Sequence, residues 1–302
     1  MTYEDRQVAC AQSCNRIAFL GDSITDDGTF IAFIENWFYS NNPDGKPEFI
    51  NLGVSAETAS GLSEPDRDFP RPCIHERIDR AIEASRPDLA VVCYGMNDGI
   101  YYPFSDERFF AYKEGLIKLV KKLVLAGVKV VVMSPPPFEP RSFNGPLLSE
   151  TVGIFGYPKP YEGYDNVLEG YAQWIMADLE TAGIEKTIDL HTPIKKFIEL
   201  KREAEPDYRY GDGIHPDRQG HWVIAKILLK ELFNIPSTEE PKYVMHQEAS
   251  PVHTMVMMRH RILSAAWKEH VGHTNPNKAA SALPIKQAKR IGAAIEAEIS
   301  SY

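Results

Sequence analysis

The stretch Ile17-Ala18-Phe19-Leu20-Gly21-Asp22-Ser23-Ile24-Thr25 runs apolar for four residues, stops at a glycine and passes into short polar side chains. A short apolar run closed by such a turn reads as a strand buried on both faces, here spanning residues 16–23. The pattern recurs outward along the chain. Glu48 to Leu52, Asp88 to Tyr94, Val128 to Met133 and the short Thr187 to Leu190 read as strands, the fourth stopped by Pro135-Pro136-Pro137. Helical spacing fills the gaps. Phe30 to Tyr39, Ile74 to Ser85, Glu107 to Ala126, Tyr161 to Ala182, a segment near Pro193–Arg202, and Arg218 to Phe233 all carry it. Strands alternating with helices predict an α/β architecture, a parallel sheet with helices on both faces. Ligands in such sheets bind beyond the carboxyl ends of the strands, so Ser23, Gly53 and Asn97, each just past a strand, are expected on one rim.

Four polar turns carry the chemistry: Gly21-Asp22-Ser23, Asn51-Leu52-Gly53, Gly95-Met96-Asn97-Asp98 and Asp212-Gly213-Ile214-His215-Pro216. A serine hydroxyl attacks well only when a base removes its proton. His215 is the candidate base, because an imidazole titrates near neutrality. Asp212, three residues earlier, can hold one imidazole nitrogen and leave the other for Ser23. Attack on an ester puts charge on the carbonyl oxygen, which needs preset donors. The Ser23 N–H, the Gly53 N–H and the Asn97 side-chain amide are the candidates. Each turn alone has an ordinary reading as a loop or a helix cap; it is their joint order that favours chemistry. The Gly-x-Ser-x-Gly elbow is absent, since Thr25 replaces its second glycine, and neither a Walker A motif nor a dinucleotide fingerprint is present.

Over residues 15–233 the four blocks resemble those of the SGNH (GDSL-type) hydrolase family. The resemblance implies a flavodoxin-like three-layer α/β/α fold and serine-dependent ester hydrolysis with no cofactor and no metal. It assigns Ser23 as nucleophile, Asp212 and His215 as its acid–base pair, and Ser23, Gly53 and Asn97 as oxyanion donors. One departure is Ala56, which stands where a glycine often follows the serine of Gly-Val-Ser. By analogy the substrate is a short acyl ester, acetyl first, on a carbohydrate or other small alcohol. Thioesterases and lysophospholipases of the same family are the alternative. Two rivals come from other classes. One is a metal-dependent phosphoesterase using Asp22, Asp26, Asp27, Asp98, Asp212 and His215; the other is a non-catalytic carbohydrate-binding protein.

The rest of the chain bounds these readings. Its 302 residues are 43% hydrophobic and 25% charged, with a net charge of -9, which argues against a nucleic-acid partner. No apolar run reaches the length of a membrane span. Met1 to Arg6 shows no signal-peptide h-region, so the expected compartment is the cytoplasm, or the periplasm or exterior if a signal has been trimmed. Of Cys10, Cys14, Cys73 and Cys93, the first two read as a reduced pair rather than a disulfide, and Cys93 as core. The Gly- and Pro-rich stretch 139–160 reads either as a binding or lid loop or as a floppy surface insertion. His191, after Asp189, reads as structural, as does His221. The tail histidines His246, His253, His260, His270 and His273 read as solvent-facing or capping, and the four tryptophans as mostly core. Residues 15–235 are expected to form the hydrolase domain. After a linker from Pro236 to Pro241, residues 236–302 form a helical extension, with helices over 253–272 and 284–300. It is expected to pack on the main domain or to support a homo-oligomer. Gly292 weakens the second helix, since an interior glycine costs about 1 kcal/mol against alanine.

Overall fold

The computed structural model describes residues 11, 13–179, 183–236, 239–277 and 282–302. Five strands, β1 (Arg16–Gly21), β2 (Glu48–Asn51), β3 (Leu89–Cys93), β4 (Lys129–Met133) and β5 (Ile184–Ile188), form one sheet. All neighbours pair in parallel, in the order β2-β1-β3-β4-β5. This is the flavodoxin-like order, with its switch point between β1 and β3. The strands at that point explain their apolar runs, because Ile17, Phe19, Leu89 and Val91 are wholly buried. Helices cover both faces. They are α1 (Ser23–Asp27), α2 (Thr29–Asn41), α3 (Ile78–Ser85), α4 (Asp106–Leu125), α5 (Tyr164–Asp178), α6 (His191–Ala204) and α7 (Arg218–Phe233). The fold is the expected three-layer α/β/α sandwich.

Three elements depart from the expected spans. The helix expected over Ile74–Ser85 is a short 3-10 turn, Ile74–Glu76, followed by α3. It breaks at Arg77 (φ -131), whose guanidinium instead reaches the buried Glu57 through two bonds of 2.6 Å and the Leu52 carbonyl at 2.7 Å. The fifth strand begins three residues before the expected Thr187, at Ile184. It is a sheet-edge strand carrying Glu185 and Lys186, so its polar residues hid it. The helix expected over Tyr161–Ala182 starts at Tyr164 and ends at Asp178, and residues 180–182 lie outside the described residues. So do Cys10 of the cysteine pair and residues 237 and 238 of the linker.

Beyond residue 241 come the single turn α8 (Lys242–Met245) and the longer α9 (Pro251–Val271) and α10 (Ile285–Ile299). α9 lies on α2 and against the edge strand β2, and α10 packs on α9. A small apolar cluster of Ala32, Val256, Met257 and Ile299 joins the three helices, alongside an Arg259–Glu296 ion pair at 3.1 Å. Gly292 does not break α10. A Cβ there would sit 3.3 Å from the Leu263 methyl groups, so the glycine lets the two helices approach closely. His253 and His260 are buried in this interface rather than facing solvent: His253 stacks on Tyr243 at 4.6 Å, and His260 meets Asn51. Among the described residues, no helix is long and apolar enough to cross a membrane.

Candidate active site

β1 ends at Gly21, and the next residue fixes the nucleophile's position. The Asp22 carboxylate accepts the Ile24 N–H at 3.0 Å, which turns the chain into α1 with Ser23 as its first residue. Burial raises Asp22 to about 7, against the Ile24 hydrogen bond and the charges of His215 and Arg71.

Asp212 and His215 arrive on the turn before α7. Asp212 Oδ1 accepts the N–H groups of Ile214 (2.9 Å) and His215 (2.7 Å), which folds the segment into a tight loop. The other oxygen, Oδ2, lies 2.8 Å from His215 Nδ1, and His215 Nε2 lies 2.8 Å from Ser23 Oγ. An ionised carboxylate only accepts, so Nδ1 carries the ring proton and Nε2 is left to accept from the serine hydroxyl. Burial works against the Asp212 charge, but the bonds and charge of His215 hold it at about 2. For His215, burial opposes the imidazolium, yet Asp212, with Asp22 and Asp27 farther off, raises its pKa overall. Ser23 and the Asp212–His215 pair, some 190 positions apart in sequence, thus form a continuous chain of hydrogen bonds from hydroxyl to carboxylate.

The expected oxyanion donors fare differently. Asn97 is buried with its side chain clamped. Its Oδ1 accepts from Arg71 Nη1 (2.8 Å) and the Tyr101 hydroxyl (3.1 Å), which turns Nδ2 toward the Glu57 carbonyl (3.3 Å). An amide nitrogen has two protons, so one remains. Arg71 is itself gripped by Glu64 through bonds of 2.6 and 2.7 Å, and it also reaches the Ala56 carbonyl at 3.3 Å. The neighbouring Asp98, raised to about 6 by burial, accepts the N–H groups of Ala59 (2.9 Å) and Ser60 (2.7 Å).

Gly53 does not present a free N–H. That group donates to Asn51 Oδ1 at 2.9 Å. Its lack of a side chain serves packing, because a Cβ would come within 2.4 Å of the Asp26 nitrogen in α1. The free amide of this loop is three residues on. Ala56 holds a left-handed backbone (φ 66), and among the described residues its N–H has no hydrogen-bond partner. The only sign of this in the sequence was the missing glycine at 56.

A cavity of about 350 Å³ opens over Ser23 and His215, floored by Asp26, Asp27, Ser55 and His221. A second, of about 460 Å³, is walled by Arg67, Phe69, Phe155 and Tyr157. Tyr157 also sits 6.4 Å from the His215 ring, so it flanks the triad. It belongs to the 139–160 loop, which is tied inward: Tyr157 N–H donates to Glu64 (3.3 Å), and Glu139 N–H donates to the Gly213 carbonyl (2.8 Å). The acidic residues of the phosphoesterase alternative serve separate tasks, and no cluster of three His, Cys, Asp or Glu side chains suited to a metal occurs among the described residues. His191 pairs with Asp165 at 3.1 Å, not with Asp189, and His221 is held at 3.2 Å from Asp27.

A family model described as the GDSL-like lipase/acylhydrolase family matches residues 19–223. Among solved structures, a gut microbial diltiazem-metabolizing enzyme aligns with a TM-score of 0.56 at 21% identity. The alignment covers 75% of this chain and 49% of that one, so the chain spans about half its length. Two catalytic mutants of Axe2, an acetylxylan esterase from Geobacillus stearothermophilus, align with TM-scores of 0.51 and 0.53 at 17% and 18% identity. They cover 74% and 72% of this chain and 97% and 94% of their own. At these identities the likeness is one of fold. No curated protein matches the chain by sequence.

Proposed function

The chain belongs to the GDSL-like lipase/acylhydrolase family and is an ester-hydrolysing serine hydrolase; on that premise we propose that Ser23, His215 and Asp212 act together on short acyl esters, acetyl esters of carbohydrates first among them. The observation that carries the reading is the 2.8 Å approach of His215 Nε2 to Ser23 Oγ, with Asp212 behind it. Ser23 Oγ attacks the ester carbonyl while His215 takes its proton. The Asp212 carboxylate keeps the ring in the needed tautomer and stabilises the imidazolium as it forms. The oxyanion is met by the Ser23 N–H, the spare proton of Asn97 Nδ2 and the Ala56 N–H, the last in the role first expected of Gly53. His215 then gives its proton to the leaving alcohol. Water repeats the sequence on the acyl-enzyme and frees the acid.

The cavity over Ser23 is the smaller of the two, about 350 against about 460 Å³, which accords with a short acyl group. The aromatic walls of the second cavity, Phe69, Phe155 and Tyr157, the last of them 6.4 Å from the His215 ring, offer flat faces for a sugar ring. The likeness in fold to Axe2, an acetylxylan esterase, points the same way.

Ser23→Ala and His215→Ala are each expected to abolish hydrolysis of p-nitrophenyl acetate, with circular dichroism unchanged. Activity retained in either folded variant removes the assignment. A panel of acetylated oligosaccharides, acyl esters of rising length and thioesters then fixes the substrate. Turnover greatest on long-chain lysophospholipids or thioesters overturns the acetyl-carbohydrate part alone.

A further inference from the structure

Residues beyond 223 fall outside the span matched by the family model, yet the C-terminal segment reaches the surroundings of Ser23 at three points. His260 Nε2 accepts from Asn51 Nδ2 at 3.2 Å, and Asn51 in turn holds the Gly53 N–H and the Thr25 carbonyl. Lys268 is ion-paired with Asp26 in α1. The Asn275 side chain, 4% exposed, donates from Nδ2 to the Ser55 carbonyl at 2.7 Å. Its Oδ1 accepts the Asn277 N–H at 2.9 Å, so the two ends of the amide are chemically distinguished.

The last two contacts converge on Ser55. Asp26 Oδ2 accepts both the Ser55 N–H (3.2 Å) and its hydroxyl (2.5 Å), while Asn275 takes the carbonyl. Every polar group of Ser55 is therefore engaged. A trans peptide is planar, with its C=O and N–H pointing in opposite directions. Pinning the Ser55 carbonyl to Asn275 therefore fixes the direction of the Ala56 N–H, away from the tail. Without that bond the peptide plane can rotate, and the left-handed Ala56 backbone gives it reason to relax.

We infer that the C-terminal segment is part of the catalytic apparatus, with Asn275 and Lys268 acting as positioning residues that hold the Ser55–Ala56 peptide so that its amide faces the oxyanion. The inference rests on the hydrolase reading above and on Ala56 as one of its donors. The segment has other anchors. Arg80 donates to the Val271 carbonyl at 2.8 Å, and Thr274 Oγ1 donates to Glu76 at 2.8 Å. Losing the Asn275 side chain therefore leaves the segment seated, and the effect on the amide can be read separately.

The test uses the full chain with p-nitrophenyl acetate, with competent sites counted by fluorophosphonate labelling. Loss of a whole oxyanion donor costs ~10²–10³ in rate, so a donor left in place but free to turn is expected to cost Asn275→Ala about tenfold to a hundredfold in kcat per labelled site. KM stays near its wild-type value, because the loss falls on the transition state. Lys268→Met shows a smaller loss of the same kind, and Lys268→Arg restores it. Thr274→Val, which removes only an anchor, keeps full kcat. The inference is overturned if Asn275→Ala retains wild-type kcat per labelled site, or if Thr274→Val falls as far as Asn275→Ala. An inactive Ser23→Ala beside a fully active Asn275→Ala defeats this inference alone, whereas an active Ser23→Ala defeats the hydrolase reading itself.

Discussion

The two walls of the cleft are fixed by opposite means. On the Asn97 side, Arg71, Glu64 and Tyr101 form a clamp inside the main domain, and the side chains of Arg71 and Glu64 are only 1% and 5% exposed. On the Ser55 side the ties are Asp26, Lys268 and Asn275, and the Lys268 and Asp26 side chains are 16% and 21% exposed. A buried ion pair is costly to break because the surviving charge cannot reach water. The partly solvated Lys268–Asp26 tie breaks cheaply, since water replaces the lost partner, and Asn275, though buried, is neutral and leaves no charge behind. The first wall should thus couple geometry to folding stability, and the second should set geometry while contributing less to stability.

The largest expected effect removes neither wall. Asp212→Asn takes away the group that fixes the His215 tautomer, and kcat should drop by about 10⁴. What rate remains above that of water measures what the two walls supply together. The pH profile checks the same residue. In the proposed mechanism neutral His215 is the base, and its folded-state pKa is raised above the ordinary 6.5, burial notwithstanding, through Asp212. The acidic limb of kcat/KM should therefore lie above pH 6.5 in the wild type. In Asp212→Asn the raising charge is gone, so the limb should move to lower pH. A limb that stays in place means that another group titrates.

Arg71→Met separates the walls. It strands the Glu64 carboxylate in the interior and should cost about 3–5 kcal/mol of stability, read as a lower urea midpoint at unchanged slope. It also frees the Asn97 amide, so kcat per labelled site should fall as well. Asn275→Ala removes two hydrogen bonds but strands no charge, so its loss of stability should be smaller, about 1–3 kcal/mol. If the two variants lose stability equally, the contrast between core clamp and tail tie does not hold.

The same contrast governs what the sequence could convey. Ser23, Asp212 and His215 were legible because each sits in a short polar turn beside an apolar strand or a helix entry, where local chemistry limits the choices. The sheet was legible for the same reason, apart from β5, where an edge position tolerates Glu185 and Lys186. Arg71 lies in a loop without periodicity and acts on a residue 26 positions away. Asn275 acts across 220 positions. Nothing in their neighbours marks either residue, because what selects them is a carbonyl or amide supplied by a distant segment. Gly53 shows the converse. A glycine in the right block suggested an amide donor, but what the site demanded there was the absence of a Cβ beside Asp26.

The smallest expected effect is also the most discriminating test of the tail. A left-handed backbone costs a non-glycine residue about 1–2 kcal/mol, and glycine returns ~0.5–1 kcal/mol of that through its larger loss of chain entropy. Ala56→Gly should therefore be slightly stabilising, by up to about 1 kcal/mol, seen as a rise of a few degrees in Tm. With Asn275 on one side of the residue and Arg71 on the other, the peptide should keep its direction, and kcat should be unchanged. Combined with Asn275→Ala, the same glycine should deepen the loss of kcat, because the Cβ then no longer limits how far the peptide can turn. If Ala56→Gly alone loses activity while both ties are intact, the alanine's own conformational restriction holds the amide. The two walls would then differ in exposure but not in how they hold the oxyanion donors.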